Sequence, residues 1–399
     1  MTRVHIINHF PATLGDRALL RAVVKGVRET IPDSRVSVAS FLRNHEPLQG
    51  IEFSPWLINI ESINEAVVGV GSQPVERSLE HSLDEILSGR KTLRGGMLRS
   101  LEGLMQADVV IVCPGGYFTD KYPFVNSLAC VNISAATKLG KKTIAFPSAY
   151  GPFTNKAASE YFIKTMRNVD KICARDRKSL SLLLDNGIGK KRVCLRPDVA
   201  LTLEDTWMSD RESDNGPIVG VTPVNFSADM CPESSLYERY VRAVAGACDL
   251  LIKKNGASVV LLPMNQFMGL DAAAANDIYG LIRWKNRVTV AAADMTLDEF
   301  CGILSGLSLL LATRYHSMIL GTVHAIPFVS IAYELKISEF MNDAGLGDYC
   351  FELEDVSPEG LYEKASEILG EEERFKNRMK KLHSKLSGKA KETFSMLVE

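Results

Sequence analysis

The chain has 399 residues, 46% hydrophobic and 24% charged, with a formal net charge of −2. That length exceeds one ordinary core and predicts two domains of roughly 150 to 200 residues with the composition of a soluble globular protein. The near-neutral balance excludes a globally basic nucleic-acid binder, so any anion site must be local.

Val4–Asn8 predicts a strand, Asp16–Glu29 a helix from its stripe of Leu19, Leu20, Val23, Val24 and Val27, and Arg35–Ala39 the next strand, together a βαβ unit. Gly15 reads as a tight-loop residue and Asp16 as a helix cap, while His9 is as readily a loop hydrogen-bonder as a ligand. Residues 50–96 interrupt the alternation and read as a lid, a substrate-binding insertion or ordinary packing. Asp108–Cys113 is an unbroken apolar run of the kind buried on both faces of a parallel sheet, and it ends in Pro114-Gly115-Gly116-Tyr117-Phe118-Thr119-Asp120. Gly115 and Gly116 would let backbone approach a ligand, and Asp120 could deprotonate a hydroxyl or cap a turn. The spacing is neither GxGxxG nor a Walker loop.

Strands at Thr143–Phe146, Asp170–Ala174 and Arg192–Leu195 complete a first domain over residues 1–203. Arg175 follows the middle one, with Asp176 or Asp185 as its expected salt-bridge partner. The polar stretch 204–216 reads as a linker, residues 217–357 as a second alternating domain, and residues 358–399 as a charged helical tail.

Within the second domain Leu307–Ala312 is again an unbroken apolar run, breaking into Thr313-Arg314-Tyr315-His316-Ser317. A helix over Met318–Val323 and a strand over Phe328–Ala332 follow, closed by Tyr333-Glu334-Leu335-Lys336. Ligands bind at the carboxyl ends of such parallel strands. Arg314, His316 and Lys336 converge there, and the helix N-terminus after Ser317 adds unpaired N–H groups, so the crevice suits a phosphate or carboxylate.

Eight cysteines, scattered without a CxxC pair, read as reduced core residues of a cytoplasmic protein, with neither a disulfide framework nor a zinc site. Met1 leads directly into the first strand without a leader, and no uncharged run approaches membrane-spanning length.

With these pieces in place, the chain resembles the polysaccharide pyruvyl transferase family over nearly its whole length. The resemblance is carried by Gly15-Asp16, Val109–Asp120, Cys173-Ala174-Arg175-Asp176-Arg177-Lys178-Ser179-Leu180, Arg196-Pro197-Asp198, and above all Thr313–Ser317 followed by Ala325-Ile326-Pro327 and Tyr333–Lys336. It implies an α/β fold of two Rossmann-like domains facing a cleft, GT-B-like. It implies transfer of the carbon skeleton of phosphoenolpyruvate to two hydroxyls of a sugar as a cyclic ketal, with release of phosphate. The family's phosphoenolpyruvate-handling positions fall on Arg175, His316 and Lys336, with Arg314 beside them.

Those residue types suit the donor, nearly a trianion, for which Arg175, Arg314 and Lys336 supply cations, and Ser317, Gly115 and Gly116 are further expected substrate contacts. His316 is the expected general acid toward the methylene carbon, and Asp120 a candidate base toward the acceptor. No cofactor and no metal are expected. The expected partners are phosphoenolpyruvate and a saccharide acceptor, lipid-linked or not, with no nucleic acid. The expected setting is the cytoplasm, in reach of the inner membrane face. Two other readings share these residues: a nucleotide-sugar-dependent glycosyltransferase, and a non-catalytic carbohydrate-binding subunit of a glycan-synthesis complex.

Overall fold

The structure is a computed structural model describing residues 1–41, 46–58, 75–204, 216–226, 234–266 and 269–399. Most of the expected linker (205–215) and the centre of the expected insertion (59–74) lie outside the described residues. The chain divides into two compact units, the first of residues 1–11, 19–202 and 389–399, the second of 12–18 and 203–388. The short segment Ala12–Ala18 thus counts with the second unit, and the chain's last segment with the first. Neither exchange is visible as a break in composition.

The first unit is built on a seven-stranded sheet of β1 (Arg3–His9), β2 (Arg35–Ser40), β3 (Glu52–Pro55), β4 (Val109–Val112), β5 (Lys142–Ser148), β6 (Lys171–Ala174) and β7 (Val193–Leu195). Its order is β3-β2-β1-β4-β5-β6-β7, and every pairing is parallel. All four residues of β4 are buried, which is why its sequence does not alternate. The order reverses between β1 and β4, and that switch point puts the Pro114–Asp120 loop where α/β sheets bind ligands. The final segment packs back on this sheet, with the Phe394 ring 5.4 Å from that of Phe146 and occupying the space a side chain at Gly26 would need.

One cysteine expectation is corrected in this sheet. Cys173 of β6 and Cys194 of β7 are register partners and are joined by a disulfide. Their pairing comes from strand order, which the separation of 21 residues along the chain does not reveal. Cys113, Cys130, Cys248 and Cys301 are buried thiols, as expected.

The second unit carries β8 (Ile218–Thr222), β9 (Ser258–Leu261), β10 (Val288–Val290), β11 (Leu309–Ala312), β12 (Phe328–Ala332) and β13 (Cys350–Glu352), again wholly parallel and in the order β10-β9-β8-β11-β12-β13. Strands β11 and β12 are buried at every residue. Truncating a fully buried leucine such as Leu310 would cost about 2–5 kcal/mol. The switch point here lies between β8 and β11, so the loop after β11 emerges at the binding edge of the sheet.

Among the described residues no helix is long and apolar enough to cross a membrane, and no group of three or more His, Cys, Asp or Glu is placed to hold a metal ion.

Candidate active site

The break after β11 forms the centre of the second unit's site. Its helix spans Tyr315–Val323 with Arg314 at the N-cap, starting earlier than the sequence suggests, so His316 and Ser317 both lie in the first turn. Arg314 offers no side-chain cap; instead the Ser317 hydroxyl donates to the Arg314 carbonyl at 2.6 Å and lies 2.8 Å from Thr222 Oγ1. Thr222 Oγ1 also accepts from the Thr313 amide at 3.3 Å. Ser317 is fully buried. Its hydroxyl ties β8 to the β11 turn.

Arg314 is likewise not a bare cation. Its Nε donates to Asp271 Oδ2 at 3.0 Å, its Nη2 pairs with Asp271 Oδ1, and its Nη1 donates to the Tyr333 hydroxyl at 3.3 Å. Asp271 is completely buried in the first turn of the helix Leu270–Leu281 and also accepts from the Met264 and Asn265 amides at 3.2 and 2.8 Å. A two-point guanidinium–carboxylate fork fixes orientation as well as charge. The arginine therefore presents a directed edge, with N–H groups on Nη1 and Nη2 beyond those committed to Asp271 and Tyr333. Tyr333 is steadied by the stacked ring of Phe226, 6.2 Å away.

The same loop after β9 holds the segment that carries Gly15. The Met264 carbonyl accepts from the Leu14 amide at 3.0 Å, Thr13 bridges to Asn265, and the Ala12 carbonyl accepts from the Gln266 amide at 3.1 Å. Thr13 and Asp16 then close a reciprocal cap: the Thr13 amide and hydroxyl donate to Asp16 Oδ2 at 2.9 and 2.7 Å, and the Asp16 amide donates to Thr13 Oγ1 at 3.2 Å. The helix runs Leu14–Thr30, two residues ahead of the expected start, so Thr13 stands at its cap and Asp16, inside the first turn, returns the bond.

Gly15, expected in a tight loop, lies in the first turn of the helix Leu14–Thr30. It has no positive φ, and a Cβ there would stand 2.2 Å from both Cγ and Nδ1 of His316. The imidazole lies directly on the Gly15 backbone, with the Tyr315 ring edge-on 5.4 Å away. Burial raises the Asp16 carboxyl above its usual value, while the positive fields of His316 and Lys336 and the Thr13 hydrogen bonds pull it back. Asp16 is thus electrostatically coupled to both groups. Lys336 stands in the first turn of the helix Leu335–Asp343 and is ion-paired with Glu334, its side chain 28% exposed.

The remaining expected residues lie in the first unit. Arg175, after β6, is paired through Nη1 with Asp198 Oδ2 at 2.8 Å, the two side chains 3% and 0% exposed. Asp176, one of the partners expected for it, instead caps the helix Arg177–Asp185 by accepting from the Ser179 amide at 2.7 Å. Asp120 accepts through Oδ2 from the Thr154 amide, the Thr154 hydroxyl at 2.8 Å and the Asn155 amide at 2.7 Å, holding the turn before the helix Lys156–Met166. Burial would raise its carboxyl, but these donors outweigh it and hold it below the usual value, which makes it a weak base. Neither Gly115 nor Gly116 has a positive φ. A Cβ on Gly115 would meet the Tyr117 ring at 2.3 Å, and the Tyr117 hydroxyl donates to the Asn8 and Cys113 carbonyls at 2.9 and 2.8 Å. The packed tyrosine leaves no room for a side chain at 115.

The second unit therefore gathers Arg314, His316 and Lys336 and adds Asp16, Asp271, Tyr333 and Glu334. Asp271 could not have been picked out beforehand, since an acid in the first turn of a helix is ordinary.

The family described as polysaccharide pyruvyl transferase matches residues 14–334. Among solved structures, the UDP-GlcNAc 2-epimerase from Neisseria meningitidis bound to UDP-GlcNAc is similar with a TM-score of 0.58 and 13% identity, covering 100% of each chain. The Anabaena HepE protein in complex with UDP-glucose gives 0.61 and 9%, covering 100% of this chain and 99% of its own. A UDP-N-acetylglucosamine 2-epimerase from Listeria monocytogenes gives 0.60 and 10%, covering 94% and 90%. At such identities the likeness concerns the fold: mixed α/β with parallel sheets, two Rossmann-like domains of GT-B type.

Proposed function

The chain belongs to the polysaccharide pyruvyl transferase family, and from that premise we propose that it transfers the pyruvyl group of phosphoenolpyruvate to a saccharide of a cell-surface or exported polysaccharide, or its lipid-linked precursor, as a cyclic ketal. In this reading the second unit handles the donor and the first carries the acceptor, on the cytoplasmic side of the membrane. The observation that carries it is the gathering of Arg314, His316 and Lys336 at one strand edge, with Asp16 coupled to His316 and Lys336.

The steps follow from those groups. The donor's carboxylate and phosphate take charge-assisted hydrogen bonds from the outer edge of Arg314 and from Lys336. Imidazolium at His316, held on Gly15 and facing the opposite charge of Asp16, donates its proton to the methylene carbon. The adjacent carbon becomes electrophilic, and one sugar hydroxyl adds to it and passes its proton back to the now neutral His316. The second hydroxyl then forms the other C–O bond as the C–O bond to phosphate breaks, and its proton leaves on the phosphate as the ketal closes. Asp271 enters by holding the Arg314 fork and the loop beneath Gly15. Arg175 enters through the resemblance alone.

Calorimetry separates binding from chemistry. Wild type is expected to bind phosphoenolpyruvate and not UDP-sugars, with Lys336→Ala weakening the donor at least ~10-fold, the loss of one charge-assisted contact, and His316→Ala retaining it. Lys336 is a better probe than Arg314, whose removal would also leave Asp271 buried and unpaired. Binding of a UDP-sugar with phosphoenolpyruvate ignored would sink the proposal in favour of a nucleotide-sugar-dependent glycosyltransferase, the reading to which the UDP-bound structural neighbours lend support.

A further inference from the structure

The loop after β4 carries an exposed apolar surface that the donor chemistry does not use. Tyr122 is 41% and Phe124 56% exposed, flanking Pro123 at the start of the helix Pro123–Lys138, just beyond Asp120. Large aromatic side chains are normally buried, and two of them exposed at the ligand-binding edge of a parallel sheet mark a contact surface. The polar groups beside them are already oriented. All the bonds that Asp120 receives from Thr154 and Asn155 end on Oδ2, so Oδ1 takes none from another described residue. Asn126, 1% exposed in the same helix's first turn, keeps an Nδ2 with no protein acceptor among the described residues.

We propose that Asp120, Tyr122 and Phe124 seat a sugar ring of the acceptor, the aromatic faces against its C–H face and Asp120 Oδ1 accepting a hydrogen bond from a ring hydroxyl. The adjacent charges of Asp120 and Lys121 cancel, which suits a neutral polyol better than a phosphate or an anionic lipid surface. C–H contacts to an aromatic face are individually weak, so two rings and a fixed acceptor are the economical way to hold a hydroxyl-rich ligand. Asp120 becomes a binding group here instead of the base first expected, in keeping with the hydrogen bonds that hold its carboxyl low. This deepens the transferase reading and rests on its saccharide acceptor.

The test uses the full chain and saturation-transfer NMR with the methyl glycosides of glucose, galactose, mannose and their N-acetylated counterparts, beside phosphoenolpyruvate calorimetry on the same samples. At least one glycoside is expected to receive saturation from aromatic protons of the wild type. Phe124→Ala should weaken it by about 3- to 10-fold, the scale of one lost aromatic contact, and Phe124→Trp should preserve it, with phosphoenolpyruvate affinity unchanged in both. Phe124 is exposed enough for either substitution to fold. A glycoside bound equally by wild type, Phe124→Ala and Tyr122→Ala overturns the proposal, as does a wild type that binds phosphoenolpyruvate but none of the six. A further arm with phosphatidylglycerol vesicles guards against a membrane contact: vesicle binding lost in Phe124→Ala, without glycoside binding, overturns it too. Glycoside binding lost in Phe124→Ala in a chain that ignores phosphoenolpyruvate would keep the sugar seat and remove the donor assignment.

Discussion

Arg175 and Arg314 stand at corresponding places, each just beyond the carboxyl end of a buried parallel strand, and each is held by an aspartate with no exposed side chain. Arg175 grips Asp198 through Nη1 and is itself 3% exposed; Arg314 closes on Asp271 through Nε and Nη2, gives Nη1 to Tyr333 and keeps 18% exposure. The same ion pair serves two ends. Where the cation is sealed, the pair holds a strand end; where one edge remains open, the carboxylate also aims a cation outward. A strand-end arginine thus becomes a credible ligand group when its partner leaves part of the guanidinium uncovered.

The sharpest way to break this contrast is to remove each carboxylate. Asp198→Ala removes a fully buried carboxylate from its ion pair with Arg175 and should cost about 3–5 kcal/mol in urea unfolding. Asp271→Ala leaves an arginine that water can partly reach, so a smaller loss of about 2–3 kcal/mol is expected, together with loss of phosphoenolpyruvate binding. If Asp271→Ala proved the more destabilising, exposure would not be what separates the two pairs.

Gly15→Ala tests whether the open site is equally well aimed at its histidine. The added Cβ must push the imidazole aside, costing about 1–3 kcal/mol of stability. Pyruvyl transfer should fall by about 100-fold, the penalty of a misplacement near 1 Å. Full activity in that variant would mean that His316 is not the acid.

The smallest effects compare the two aspartates of the strand-end loops. Asp120 is held below its usual value, so its stabilising share is present above the unfolded value of about 4 and lost as pH falls through the folded value. Asp120→Asn should cost under about 1 kcal/mol at pH 7, and the deficit should shrink as pH falls below the unfolded value. Asp16 is raised, so its share is present below about 4 and lost as pH rises through the folded value. The Asp16→Asn difference from wild type should therefore drift with the opposite sign. Parallel drifts in the two variants would contradict the opposite shifts.

The strand-turn-helix at 307–336 was legible because β11 and β12 are buried on both faces, which leaves an unbroken apolar run in the sequence. What could be read there was which residues stand at the edge; what each one touches could not. Asp271 meets Arg314 across 43 positions, and the imidazole over Gly15 arrives from position 316. A glycine at a helix start reads as a tight-loop residue, and nothing local reveals a ring lying on it. The Cys173–Cys194 pair was hidden for the same reason, being a product of strand order.

The two short exchanged segments constrain how such a chain can change over generations. A single recombination breakpoint near Leu203 would part His316 from the Gly15 it leans on, and Phe394 from Phe146 and Gly26. Neither half can be traded alone for that of a relative unless its short segment travels with it. New specificity in this architecture is more accessible through point substitutions in strand-end loops than through shuffling of halves.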